Sequence, residues 1–241
     1  GLASADTVID TKGPMKVGGF KIGEFRNKNY GELSVTDIIV KSSNRGTGRL
    51  ALSIGAKRQK EFLQSLGFFE ATSFEIVEAA SGRPLLPKRW TDLSTVTISY
   101  GHGLSTSPLH LAAGYAAIAK VSPTLLKQGA PQVGPRVMSA RAAADARMML
   151  RKVVTKGTAS FAEVKGYQIG GKTGTADKPK RHGGYYKDKV IATFASIFPA
   201  SDPKYVLIVS LDEPVETSGD KPRRTAGWTA VPVAAEMVRR G

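Results

Sequence analysis

The sequence predicts an α/β domain, an antiparallel sheet flanked by helices, and three observations carry that prediction. Two helical stretches in the middle of the chain open on the serine caps Ser107 and Ser139. Three later β-rich runs are joined by connections short enough for antiparallel neighbours. The first of those runs carries Gly170-Gly171-Lys172-Thr173-Gly174-Thr175-Ala176, where a cationic lysine and two hydroxyls sit among small residues.

Residues 1–28 are rich in glycine and lysine, with short β-favouring pieces such as Thr7-Val8-Ile9-Asp10, and read as the middle of something longer. Ser34-Val35-Thr36-Asp37 is an N-cap followed three residues later by an acid, so a helix is expected through Ile38, Ile39 and Val40, stopping near Ser43-Asn44. A second helix is expected over residues 49–66, with Leu50, Ile54, Phe62 and Leu66 as its apolar positions and Gly67 as its C-cap. Prolines, isolated apolar residues and weak periodicity make residues 68–98 mostly loop until Thr95-Val96-Thr97-Ile98. After the Gly101-His102-Gly103 turn, Ser107-Pro108 places proline at the first position of an alanine-rich helix ending about Lys120. That helix is apolar on nearly all sides and is expected at the domain's centre. A proline-rich link leads to the Ser139-capped helix, which ends at Gly157. Strands are expected over residues 167–175, 190–198 and 205–211, and a helix over residues 231–240. No repeat, low-complexity tract or second domain is visible.

Length and composition set the outer limits. The 241 residues, 41% hydrophobic, suit a globular protein with a substantial core. With no cysteine, a disulfide framework, a thiolate metal site and a cysteine nucleophile are all excluded. His102, His110 and His182 are widely spaced and lack carboxylates at metal-ligand spacing, so neither a metal nor any cofactor is expected. The net charge of +15 favours anionic partners. The basic residues are scattered and form no nucleic-acid-binding module, so nucleic acid is not expected among them. No stretch reaches the roughly 18 apolar residues of a membrane helix.

Glycine inside a strand is usually found where a backbone or a ligand must come close, which makes the Gly170–Ala176 stretch a candidate binding edge. Thr173 and Thr175 offer hydroxyls to a substrate carboxylate, Gly174 leaves room between them, and Lys172 places positive charge behind. Ser42-Ser43-Asn44 is a weaker signal, since serine and asparagine favour helix ends and turns for local reasons. At such an end Ser42 can relay a proton, and the Asn44 amide can donate to a substrate carbonyl.

Serine-x-asparagine followed by lysine-threonine-glycine belongs to the signature of penicillin-binding proteins and class A β-lactamases. Further segments follow in the same order: Asp6-Thr7-Val8-Ile9-Asp10-Thr11, Ile98-Ser99-Tyr100-Gly101-His102-Gly103-Leu104-Ser105-Thr106-Ser107-Pro108, Val153-Val154-Thr155-Lys156-Gly157-Thr158-Ala159, Gly183-Gly184-Tyr185-Tyr186 and Phe198-Pro199-Ala200. Over nearly its whole length the chain resembles the class B penicillin-binding transpeptidases, most closely their cell-division (septal) branch. The resemblance implies the serine β-lactamase-like fold and a D,D-transpeptidase that cross-links peptidoglycan. In that family a serine attacks the D-Ala-D-Ala bond of a stem peptide, releases D-alanine and passes the acyl group to an amine, and β-lactams acylate the same serine. It also implies Ser42, Asn44 and Lys172 as catalytic residues, with Ser42 and Asn44 on one side of the cleft. Lys172, Thr173, Gly174 and Thr175 take the other side, with the Thr175 amide as half of an oxyanion hole. Divisome proteins are the implied partners, beside stem peptides and β-lactams. An N-terminal anchor in the inner membrane and an active domain on the periplasmic side are implied as well, and the basic charge suits an anionic envelope.

One element departs from the pattern. The family's serine-x-x-lysine nucleophile precedes the Asp6–Thr11 segment, so residues 1–241 are expected to be the C-terminal part of the transpeptidase domain, without the nucleophile and needing the missing N-terminal part as partner. Ser201-Asp202-Pro203-Lys204 and Ser218-Gly219-Asp220-Lys221 match formally but lie in turns after the lysine-threonine-glycine strand and are rejected. Tyr185, Tyr186 and His182 are expected on the loop after that strand, as a cleft wall or as an exposed hairpin tip. His102 is a turn residue or a neighbour of the site, and Arg223-Arg224 a carboxylate contact or solvated surface. Two other functions use the same residues: a D,D-carboxypeptidase or β-lactamase-like hydrolase, and a noncatalytic β-lactam sensor or basic binding module.

Overall fold

The computed structural model describes residues 2–72, 83–120, 124–125, 132–180, 182 and 184–241. The chain divides into two compact units, residues 1–145 and 146–241.

In the first unit, β1 (Val8–Asp10) pairs antiparallel with β4 (Glu32–Ser34), and β2 (Met15–Val17) with β3 (Phe20–Ile22). Ser34 ends β4 and caps α1 (Val35–Lys41), accepting the Asp37 amide, as the capping pattern predicts. The helix expected over residues 49–66 is two helices, α2 (Asn44–Ile54) and α3 (Ala56–Ser65). They break at Gly55, whose φ of 85° no other residue type adopts without strain. Gly46 and Gly48 let α2 approach its neighbours: a Cβ on Gly46 would lie 2.6 Å from the Ile38 side chain, and one on Gly48 2.9 Å from Val96. Val96 lies on α4 (Asp92–Ser99), a helix that begins at the Thr91 cap inside the stretch expected to be mostly loop. With Met15 and Ile22 it forms a buried cluster closed by Val17, Leu93 and Tyr100.

Pro108 starts α5 (Pro108–Lys120) as expected. Rather than being enclosed on all sides, α5 is fully buried at His110, Ala113, Gly114 and Ala117 and half-buried over most of the rest. Two short strands follow, β5 (Thr124–Leu125) and β6 (Gln132–Val133). Part of the expected loop, residues 73–82, and part of the proline-rich link, residues 121–123 and 126–131, lie outside the described residues. The chain then enters α6 (Ala140–Lys156), where Ser139 accepts the Ala142 amide.

The second unit is built on an antiparallel meander, β7 (Gly170–Pro179), β8 (Tyr185–Phe198) and β9 (Tyr205–Asp212), in the order β7-β8-β9. This is the three-stranded section that the β-rich runs predict. Phe194 and Ile197 of β8 are fully buried, as are Val153 and Val154 of α6. α7 (Ala230–Arg240) packs on β8 and β9 with Ala230, Val231, Ala234, Ala235 and Val238 buried. β7 is an edge strand of this sheet, so alternate backbone groups along it face away from β8.

Candidate active site

The strand with the lysine-threonine-glycine motif is shaped by what its glycines approach. A Cβ on Gly170 would meet the Arg151 amide nitrogen at 3.1 Å and Ala200 at 3.2 Å, so this end of β7 lies on the backbone of α6. Arg151 adds a tether, donating to the Ile169 carbonyl at 3.0 Å while its guanidinium binds Glu163 through two hydrogen bonds of 2.8 and 2.7 Å. A Cβ on Gly171 would overlap the Phe194 ring at 2.6 Å. Of the two reasons for glycine in a strand, Gly170 and Gly171 therefore serve close approach of the protein itself. Gly174 does not: a Cβ there would meet only the Thr193 carbonyl, at 3.9 Å, and the residue is exposed.

Along β7, Thr173 and Thr175 fall on one face and Lys172 and Gly174 on the other, by the two-residue period of a strand. The Thr173 hydroxyl pairs with that of Thr158 at 2.6 Å. The Thr175 oxygen accepts the Ala226 amide at 3.0 Å, so its own hydrogen remains available to donate. Lys172 donates to the Thr173 carbonyl at 2.8 Å. It is half-buried as a residue, and desolvation of its ammonium pushes the pKa down to about 8. An amine so placed is still mostly charged at neutral pH and strengthens its field where water is thin.

The Ser42-Ser43-Asn44 motif joins two helices, which is more than the single helix end expected. Ser42 is the C-cap of α1 in the left-handed region (φ 57°, ψ 50°). Ser43 is the N-cap of α2 and accepts the Gly46 amide at 3.1 Å. Asn44 opens α2, and its side-chain amide donates to the Gly23 carbonyl at 2.9 Å. Beneath the turn lies a residue that nothing in the sequence marks. The buried carboxylate of Glu24 accepts the Ser43 hydroxyl at 2.6 Å, the Asn44 amide at 2.9 Å and the Arg45 amide at 3.1 Å.

The two motifs thus lie in different compact units, and each is ordered by its own surroundings. Thr158 and the Ala226 amide join Lys172, Thr173, Gly174 and Thr175; Gly23 and Glu24 join Ser42 and Asn44. Thr158 falls inside a segment that supports the family resemblance, whereas Glu24 sits alone in a lysine- and glycine-rich stretch.

The other candidates resolve individually. Ser201-Asp202-Pro203-Lys204 lies between β8 and β9, and Ser218-Gly219-Asp220-Lys221 between the bridged residues Glu216 and Arg223. Neither begins a helix. Tyr185 and Tyr186 are the first residues of β8 rather than a loop, with Tyr185 opposite Pro179, while His182 lies in an exposed turn. His102 follows α4 and meets the Tyr100 ring edge-on at 5.5 Å. Arg223 is not plain solvated surface: its guanidinium lies 3.8 Å from the Trp228 ring centroid and donates to Glu216 at 2.6 Å. Among the described residues no group of three acidic or histidine side chains could hold a metal ion, and no helix is long and apolar enough to cross a membrane.

Residues 1–235 match the penicillin binding protein transpeptidase domain. The probable peptidoglycan D,D-transpeptidase FtsI of Caulobacter vibrioides is 30% identical over 254 residues, covering 100% of this chain and 43% of that protein. The peptidoglycan D,D-transpeptidase FtsI of Escherichia coli K12 is 32% identical over 219 residues, covering 89% and 37%. The chain thus spans about two fifths of the length of these relatives. Among solved structures, the apo TP domain of Burkholderia pseudomallei penicillin-binding protein 3 superposes with a TM-score of 0.86 at 34% identity, over 98% of this chain and 72% of that one. Penicillin-binding protein 3 of Mycobacterium tuberculosis, solved in complex with aztreonam, gives 0.82 at 29% identity, over 99% and 58%. By its match along almost the full length and by its fold, the chain belongs to the family of penicillin-binding protein transpeptidase domains.

Proposed function

We propose that the intact protein is the D,D-transpeptidase that cross-links peptidoglycan in septal wall synthesis, with Ser42, Asn44 and Lys172 as catalytic groups and Thr173, Gly174 and Thr175 binding substrate. The observation that carries this reading is the arrangement on β7. On one face Thr175 takes the Ala226 amide on its oxygen and keeps its hydrogen to donate, and on the other lie the open space at Gly174 and a partly desolvated ammonium on Lys172. Such a strand suits the terminal carboxylate of a stem peptide.

The nucleophile is a serine of a Ser-x-x-Lys segment outside residues 1–241; the turn settings of both internal matches support this. Its oxygen bonds to the carbonyl carbon of the penultimate D-alanine. The bond to the terminal D-alanine nitrogen breaks, and the hydroxyl proton passes to that nitrogen, relayed through Ser42. An amine of a neighbouring strand then attacks the ester, and its proton returns to the serine oxygen. The Thr175 amide stabilises the oxyanion of both steps, and Asn44 donates to the substrate carbonyl. β-Lactams acylate the same serine, and divisome proteins are the partners of the intact protein. It is anchored in the inner membrane by a segment outside these residues, with this domain on the periplasmic side.

The test uses the intact protein with a labelled penicillin and with stem peptides plus an acceptor amine. The expected result is one adduct, mapped to the Ser-x-x-Lys serine, and a cross-linked product. A natively folded protein that takes up no penicillin would overturn the catalytic reading. Acylation followed by hydrolysis alone would move it to a carboxypeptidase or β-lactamase-like hydrolase.

A further inference from the structure

We infer that Glu24 is the positioning residue of the Ser42-Ser43-Asn44 turn, a buried carboxylate that holds the turn in the one geometry its chemistry requires; this rests on the acyl-transfer function proposed above. The Glu24 side chain is 1% exposed. A carboxylate at that depth is strongly unfavourable unless it is hydrogen-bonded and paired, and every group that meets the requirement comes from the turn or the residue after it. Oε1 accepts the Ser43 hydroxyl at 2.6 Å and the Arg45 amide at 3.1 Å, and Oε2 accepts the Asn44 amide at 2.9 Å. The Arg45 guanidinium lies 3.5 Å from Oε1 and is itself fixed by donating to the Lys28 carbonyl at 2.6 Å. The preceding residue completes the hold, since the Gly23 carbonyl takes the Asn44 side-chain amide at 2.9 Å.

Two consequences bear on function. Ser43 gives its hydrogen to Glu24 and receives the Gly46 amide, so its hydroxyl is committed to the fold. Ser42 itself holds a left-handed backbone, which a residue other than glycine keeps only where its surroundings over-determine it. Pinning the next three residues to one carboxylate does that.

The test compares Glu24→Gln with Arg45→Gln in the intact protein. Glutamine keeps the shape of Glu24 but turns an acceptor into a donor opposite the backbone amides, releasing the turn. Arg45→Gln removes the paired cation and leaves all three acceptor contacts in place. Displacement of a catalytic group by about 1 Å costs about 100-fold in rate, so Glu24→Gln is expected to acylate with penicillin about 100-fold more slowly. The loss should fall on the acylation step rather than on prior binding. Hydrogen exchange should accelerate at the Asn44 and Arg45 amides and stay unchanged in β7 to β9. Arg45→Gln should lose comparable thermal stability yet acylate within about threefold of the parent.

The proposal is overturned if Glu24→Gln acylates at the parental rate, or if both variants lose acylation in parallel, which would reduce Glu24 to a stabilising role. Should Glu24→Gln not fold, Glu24→Asp keeps the charge, withdraws the carboxylate by one methylene and is read in the same way. If the parent takes up no penicillin, the proposed function fails, while exchange at Asn44 and Arg45 still decides whether Glu24 holds the turn.

Discussion

The Ser42-Ser43-Asn44 turn and the Lys172-Thr173-Gly174-Thr175 strand are held in place by opposite means. The turn is fixed by a charge: one buried carboxylate gathers a hydroxyl and two backbone amides, and the Asn44 side chain gives one of its two amide hydrogens to the Gly23 carbonyl. The strand is fixed by shape, through glycines that lie against α6 and Phe194, and the Thr175 oxygen accepts the Ala226 amide. A turn has no ladder to define it, so side-chain chemistry must. A strand inherits its geometry from its neighbour, which leaves Thr175 able to donate to a ligand and the ammonium of Lys172 partly stripped of water.

The sharpest way to break this contrast is at Lys172. Lys172→Met in the intact protein is expected to slow penicillin acylation about 100- to 1000-fold, the range for losing a preorganised electrostatic contact. Stability should move the other way. The Lys172 pKa is lowered to about 8 in the fold from 10.5, so the unfolded chain binds more protons between those values and parental stability rises as pH climbs through that window. Below pH 8 the desolvation cost is present in full, and Lys172→Met should be the more stable protein by up to ~3 kcal/mol. That advantage should shrink towards pH 10.5, as measured by denaturant unfolding at a series of pH values. A constant advantage would show that the ammonium is well hydrated.

The glycines test whether shape alone orders the strand. Gly171→Ala forces a methyl group into the Phe194 ring and should cost about 1–3 kcal/mol. Gly174→Ala meets nothing closer than 3.9 Å and should stay within about 0.5 kcal/mol in unfolding, while slowing acylation if substrate passes there. Between the two in size lies Ser43→Ala. It removes the α2 cap, worth about 1 kcal/mol, together with a donor to Glu24, and calorimetry should show the larger loss that the buried carboxylate adds.

Where structure is dictated locally, the sequence reads well. The Ser34 and Ser139 caps, Pro108 at the start of α5 and the alternation along the meander all depend on residues a few positions apart. Residues 44–65 were harder, because Gly55 sits inside an otherwise helical pattern and only its left-handed backbone shows that it separates α2 from α3. Tyr185 and Tyr186 read as loop because the glycines before them mask the start of β8. The motifs mark Lys172, Thr173 and Thr175 as candidates, but not the residues that order each motif within its own unit: Thr158 and Ala226 on the strand, and above all Glu24 under the turn, make contacts between distant positions. An isolated glutamate among lysines gives no sign that it is buried beneath a turn 18 residues later.

The Thr175 hydroxyl has a further implication, which concerns timing. It receives its donor from Ala226, 51 positions along the chain, whereas the ladder between β7 and β8 closes over a much shorter span. Contacts of wide sequence separation form late, because the chain must first surrender the freedom of the intervening loop. During synthesis the meander can therefore assemble while Thr175 still has water as its partner, and the strand acquires its finished hydroxyl only when the segment leading into α7 arrives.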